Sequence, residues 1–144
     1  MNYMNAISAG RVFFDTNIIV YSHDRDDIRK RDIASELLFH ALKKRRGVIS
    51  AQVLGETFVT LVKKYHRDSD AAANEIRQLT QFRVVDLTAT LVLRGLEIKA
   101  QFGLSYWDSL IIAAAERASC KVVFSEDLND GQTYGSVLVM NPFK

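Results

Sequence analysis

Val12-Phe13-Phe14-Asp15-Thr16-Asn17 decides the reading of this chain: three apolar residues run directly into an acid and two polar residues, and Ile18-Ile19-Val20 follow at once. A short apolar run rich in β-formers reads as a strand buried on both faces, the kind found in parallel sheets. A short helix then follows, and after it a polar loop over 22–30 whose one apolar residue is Ile28. Asp15 therefore stands at the carboxyl end of a strand, where open parallel sheets present their ligands. A carboxylate between two apolar segments is costly to keep ionised unless a cation or hydrogen bonds compensate it. Capping the helix that follows is its competing role.

Outward from this strand, helical and extended patterns alternate. Over 29–46, apolar residues recur at Ala34, Leu37, Leu38, Ala41 and Leu42, the spacing of an amphipathic helix, which Gly47 is expected to stop. Val48 and Ile49 make a brief strand, and Ser50 caps a helix striped by Leu54, Phe58, Leu61, Val62 and Tyr65. Another helix over 70–81 leads to a strand over 82–87, read as buried on both faces. Thr88 caps the next helix, whose inner face carries Leu91, Gly95, Ile98 and Phe102 and which Gly103 ends. Ser105 opens the last long helix, with Leu110, Ile111, Ala114 and Ala118 inward, before strands over 121–124 and 137–140. Such alternation predicts an α/β fold with a central parallel sheet of four or five strands between helical layers, because each parallel step needs a crossover.

A chain of 144 residues, 48% hydrophobic and 25% charged, suits one domain over 1–144, with length enough for a core. No apolar stretch reaches the roughly 20 residues of a membrane span, and residues 1–10 lack the pattern of a signal peptide, so a soluble, cytoplasmic protein is expected. Cys120 is the single cysteine, which excludes an internal disulfide or a zinc cluster and suits a small core residue. A net charge of +2 is too mild to identify a polyanionic partner. Two clusters, Lys43-Lys44-Arg45-Arg46 and Arg25 with Arg29, Lys30 and Arg31, read either as phosphate contacts or as solvated surface.

Three more acids share the setting of Asp15. Asp108 lies in the first turn of a strongly apolar helix, where Ser105 and Asp108 also have the spacing of a capping box. Asp127 follows a strand in Ser125-Glu126-Asp127-Leu128, with a turn role before Gly131 as its alternative. Glu56 sits off the apolar stripe of its helix, beside a helix-interior Gly55 that suggests a close packing partner. Four acids at strand ends and helix openings of one sheet edge can converge, and crowded carboxylates stay ionised near neutrality only with divalent cations. Oxygen ligands favour Mg²⁺ or Mn²⁺ over zinc. Such a site activates water for in-line displacement at a phosphodiester, often with two ions about 3.5–4 Å apart. His23, His40 and His66 form no metal-binding pair, and no nucleotide-binding glycine motif or nucleophile elbow occurs.

Asp15-Thr16-Asn17, Val53-Leu54-Gly55-Glu56, Tyr106-Trp107-Asp108-Ser109-Leu110-Ile111 and Ser125-Glu126-Asp127-Leu128 resemble, in order, the four acidic motifs of PIN-domain nucleases. The chain length and the last motif are similar to VapC-type toxins of toxin-antitoxin pairs. The resemblance implies an α/β/α sandwich in which Asp15, Glu56, Asp108 and Asp127 bind one or two Mg²⁺ or Mn²⁺ ions and cleave single-stranded or looped RNA. It also implies a homodimer and a cognate antitoxin. Asn17 is then placed to orient Asp15, and Ser125 to support the last acid. Glu126 and Asp130 compete with Asp127 for that place. Alternation along a chain that stays extended past Phe124 puts Ser125 and Asp127 on one face and Glu126 on the other, which selects Asp127.

Tyr106 and Trp107 suit either base stacking or core packing, and the apolar helix around Trp107 favours the core for it. Two other readings of the chain remain. A haloacid-dehalogenase-type phosphatase needs a second aspartate two positions after the first, where this chain has Asn17. A PIN-like fold can also serve as a binding module or as a nuclease of RNA maturation.

Overall fold

The computed structural model describes residues 3–144; Met1 and Asn2, the start of the expected domain, lie outside the described residues. The elements, in order, are α1 (Tyr3–Ala9), β1 (Val12–Phe14), α2 (Thr16–Tyr21), α3 (Ile28–Lys44), β2 (Gly47–Ser50), α4 (Ala51–Lys63), α5 (Ser69–Leu79), β3 (Arg83–Val85), α6 (Ala89–Phe102), α7 (Tyr106–Arg117), β4 (Val122–Phe124), β5 (Thr133–Tyr134) and β6 (Val137–Met140). Val12, Phe13 and Phe14 are fully buried, because β1 is central in a sheet ordered β3-β2-β1-β4-β6-β5. Phe14 stacks on Phe124 of β4 at 5.6 Å between ring centroids. Burying each such ring stabilises by about 1.5–3 kcal/mol.

Chain connectivity turns outward in opposite directions from β1, toward β2 on one side and β4 on the other. That reversal opens a crevice at the carboxyl ends of β1 and β4, the usual ligand position in a parallel sheet. Five strands are parallel, with Val12 level with both Gly47 and Val122. The sixth, β5, pairs antiparallel with β6 across a turn at Gly135, whose φ of 61° suits glycine. The five parallel strands match the four or five expected, and the antiparallel β5 is the addition, since a two-residue strand carries no periodicity to read. The N-terminal helix α1 was likewise not anticipated.

Four local expectations are corrected. Arg45, in the left-handed region at φ 57°, ends α3, whereas Gly47 begins β2. Glycine is needed there because a Cβ would meet the Phe82 ring at 2.5 Å. The strand expected over 82–87 is only Arg83–Val85; it is the sheet edge, with Arg83 exposed and Val85 alone buried. On α4 the buried face is Val53, Thr57 and Leu61, one step from the stripe read from Leu54 and Phe58. Gly55 has no close packing partner, since a Cβ there would meet nothing within 4 Å. Cys120 is a core residue, and burial pushes its thiol pKa up to about 12, which leaves it protonated. Among the described residues no helix is long and apolar enough to cross a membrane.

Candidate active site

Asp15 caps α2 and belongs to the crevice at once. One carboxylate oxygen accepts from the Thr16 amide at 2.7 Å, and the other accepts from the Ser125 hydroxyl at 2.7 Å and the Asn17 amide at 3.4 Å. Capping and site chemistry therefore use different oxygens of one group. Asp15 is 5% exposed. Burial raises its pKa from 3.8 to about 6, opposed by the Ser125 and Thr16 hydrogen bonds and reinforced by the nearby charges of Asp127 and Glu56.

Asn17 joins the first motif to the fourth. Its amide donates to Asp127 at 3.1 Å, while its carbonyl accepts from the Glu126 backbone at 3.1 Å. Ser125, fully buried after β4, donates to Asp15 and accepts from the Asp127 backbone at 3.1 Å. Glu56 reaches the crevice from α4, where Thr16 Oγ1 donates to it at 3.2 Å and Gln52 donates at 2.6 Å. Asp108 enters from the first turn of α7. The Ser105 hydroxyl accepts from the Asp108 amide at 3.2 Å, yet the Asp108 carboxylate makes no hydrogen bond to a described residue. Helix capping thus accounts for Ser105 and leaves the Asp108 carboxylate without a structural task.

All four acids line one cleft of about 330 Å³. A larger cavity of about 650 Å³ lies against β3, α6 and α7, but its Glu116 is neutralised by Arg94 at 2.8 Å, so it offers no comparable cluster of unpaired acids. None of Asp15, Glu56, Asp108 or Asp127 forms an ion pair among the described residues. Nor do any three described acids, histidines or cysteines stand close enough, as they lie, to grip one ion. Amide and hydroxyl donors from Asn17, Thr16, Ser125 and Gln52 occupy the spaces between the carboxylates. An oxygen-only donor set with a buried, cation-free aspartate at its base fits a hard divalent cation.

The fourth motif divides by contact. Glu126 turns to Lys30 at 2.7 Å and Tyr21 at 2.9 Å, and Asp130 accepts from the Asn141 backbone at 2.8 Å. Of the three acids, only Asp127 has its carboxylate hydrogen-bonded to the Asn17 side chain. Regular strand ends at Phe124, so alternation is not the cause; the long-range contacts of Lys30 and Asn17 are. Asp127→Asn is expected to lower cleavage at least tenfold more than Glu126→Gln or Asp130→Asn, measured as kcat/KM on one RNA, a gap of about 1.4 kcal/mol. A dominant loss at Glu126 would refute the assignment.

Among the basic residues, Lys43 and Lys44 end α3, while Arg45 and Arg46 precede β2, at the amino ends of the strands and away from the cleft. Arg46 O accepts from Val12 N at the start of β1, at 2.9 Å. Lys30 is held by Glu126 and Arg29 by the Phe143 carbonyl at 2.8 Å. Lys64 is the basic residue that lines the cleft. Tyr106 is half-buried and lies outside the lining, whereas Trp107, read as core, is 58% exposed and lines the cleft.

Residues 12–130 match the model of the PIN domain. The chain belongs to the PIN-domain family. This PIN domain is similar in structure to the VapC20 toxin of Mycobacterium tuberculosis, which cleaves the sarcin-ricin loop, with 26% identity, a TM-score of 0.65, and coverage of 81% of this chain and 91% of that one. A toxin-antitoxin complex from Klebsiella pneumoniae shares the fold at 22% identity and a TM-score of 0.64, covering 91% and 97%. DNA-bound VapBC from Salmonella typhimurium does so at 15% and 0.66, covering 92% and 98%. No curated protein matches the chain at a significant level. The fold is thus the one shared by VapC-type toxins.

Proposed function

We propose that this PIN domain is a Mg²⁺- or Mn²⁺-dependent endoribonuclease and the toxin of a toxin-antitoxin pair. The observation that carries the reading is the convergence of four carboxylates from separate segments in one cleft, none of them neutralised by a described lysine or arginine. A structural cluster would be paired, because unpaired crowded acids destabilise a fold. Asp15, Glu56, Asp108 and Asp127 would hold the ion or ions. A divalent ion in this cleft supplies Lewis acidity to the phosphodiester and to the attacking water.

The chain's own groups set the geometry. Ser125 and Thr16 fix the two oxygens of Asp15, Asn17 spans Asp15 and Asp127, and Gln52 fixes Glu56. Holding ligands by such outer contacts is what keeps a metal site ordered. The antitoxin rests on the company of the fold, which includes a toxin-antitoxin complex and VapBC assemblies.

Single-stranded RNA incubated with the protein in Mg²⁺ tests the activity, and Asp108→Asn tests the site. The substitution is expected to cost at least about 100-fold in kcat/KM, near 2.7 kcal/mol, with the circular dichroism spectrum unchanged. Retention of wild-type activity would show that Asp108 is not a metal ligand.

A further inference from the structure

We propose that Trp107 is a platform on which an unpaired RNA base stacks next to the carboxylate cleft; the proposal rests on the nuclease reading and names how its substrate is gripped. Trp107 is the chain's one tryptophan, and 58% of it is exposed. Its helix does not need it for packing, since Ser109, Leu110, Ile111, Ile112, Ala113, Ala114 and Ala115 already form an uninterrupted buried segment. A large aromatic left in water at a polar cleft is an apolar surface awaiting a partner.

The ring's neighbourhood is defined. Tyr106 meets it edge to face at 5.0 Å and 71°, and the Trp107 carbonyl accepts from Gln52 Nε2 at 3.3 Å. Gln52 also donates to Glu56 at 2.6 Å, so one side chain ties the platform's backbone to a cleft carboxylate. Asp108 follows directly in sequence.

The charge of the lining favours such a contact. The cleft is lined by five acids, of which Glu126 is paired with Lys30, against Lys64, and the Lys43–Arg46 run sits at the other end of the sheet. The protein side chains of the cleft thus give a polyanion little ionic attraction beyond what a bound cation would supply, and an apolar contact adds to it. Base stacking supplies that contact, needs an unpaired base, and tolerates all four bases because each has a π face. The occupant is thus a single-stranded segment, with purines favoured over pyrimidines by stacking area.

Two measurements test this. Stopped-flow mixing with a short single-stranded oligoribonucleotide should quench the Trp107 emission before cleavage occurs. In steady state, Trp107→Ala should raise KM roughly 5- to 150-fold, the range of aromatic-to-alanine losses at stacked bases, with kcat little changed. Trp107→Phe should restore most of the loss, and an abasic nucleotide at the stacked position should erase the difference between wild type and Trp107→Ala. If wild type cleaves RNA but emission and KM are indifferent to it and to Trp107→Ala, the platform is overturned and the nuclease reading stands. A ring reserved for a protein partner would give that same outcome. Wild type that neither binds nor cleaves RNA overturns both.

Discussion

Asp15→Asn is expected to abolish RNA cleavage, by roughly 10³-fold or more, and at the same time to stabilise the protein in chelator. The two effects have one cause. Asp15 is buried without a cation, and burial raises its pKa from 3.8 in the unfolded chain to about 6. Between those values the folded state binds more protons than the unfolded state, so stability falls as pH rises through the window and the penalty is complete above it. Its size is up to about 3 kcal/mol, which for a chain of this length moves the midpoint of thermal unfolding by roughly 6–12 °C. Asparagine keeps the volume, accepts from Thr16 and removes the charge, but its amide nitrogen cannot accept from Ser125 or Asn17 as Oδ2 does, which reduces the gain. Thermal melts in EDTA should show Asp15→Asn above wild type at pH values over 6, with the difference vanishing below 3.8. Adding Mg²⁺ should stabilise wild type by mass action and leave the variant unmoved. A purely structural Asp15 gives the opposite sign, with the variant less stable because its hydrogen bonds are weakened.

The fold was legible where burial is uniform along an element. Val12-Phe13-Phe14 read as a central strand, and Ser50, Thr88, Gly103 and Ser105 read as helix ends, since cap chemistry is local and each residue performs it. What escaped depended on tertiary context. Gly47 looked like a helix stop because glycine commonly is one; its need arises from Phe82, 35 positions later, an approach no local pattern records. Trp107 read as core because the helix around it is apolar, but the first turn of α7 borders the cleft.

Candidate site residues divide in the same way. Asn17 and Ser125 carried signals, each being two residues from an acid at a strand end. Gln52 carried one too, since four residues before Glu56 on a helix is the same face. Lys30 carried none for its partner, because its contact with Glu126 spans 96 positions. The Lys43–Arg46 run was visible as charge, and its distance from the cleft was deducible: residues that precede a parallel strand lie at the amino end of the sheet, and these precede β2.

Chelation is expected to stop cleavage altogether, and the ends of the RNA fragments report why. With Asp15, Glu56, Asp108 and Asp127 free of any described ion pair and Glu126 paired with Lys30, the cleft has acceptors in abundance and, in its described lining, Lys64 as the positively charged group for the developing phosphate charge. Four carboxylates alone repel a phosphodiester, so activity without a cation has no electrostatic source here. EDTA should therefore reduce turnover to background, and Mg²⁺ or Mn²⁺ should restore it. Water attacking phosphorus in line leaves a 5′-phosphate and a 3′-hydroxyl. Attack by the RNA's own 2′-hydroxyl leaves a cyclic phosphate and calls for an acid-base pair titrating near neutrality. Histidine is the usual source, but none of His23, His40 and His66 lines the cleft; burial, helped by Arg67 and opposed by its partner Glu75 at 3.6 Å, pushes the His23 pKa down. Asp15, raised by burial to about 6, is hydrogen-bonded on both oxygens. Fragment ends carrying 5′-phosphate and 3′-hydroxyl are the expected result, read by end-group mapping. Cyclic phosphate ends, or full activity in chelator, would remove the carboxylate-metal mechanism while leaving the PIN fold in place.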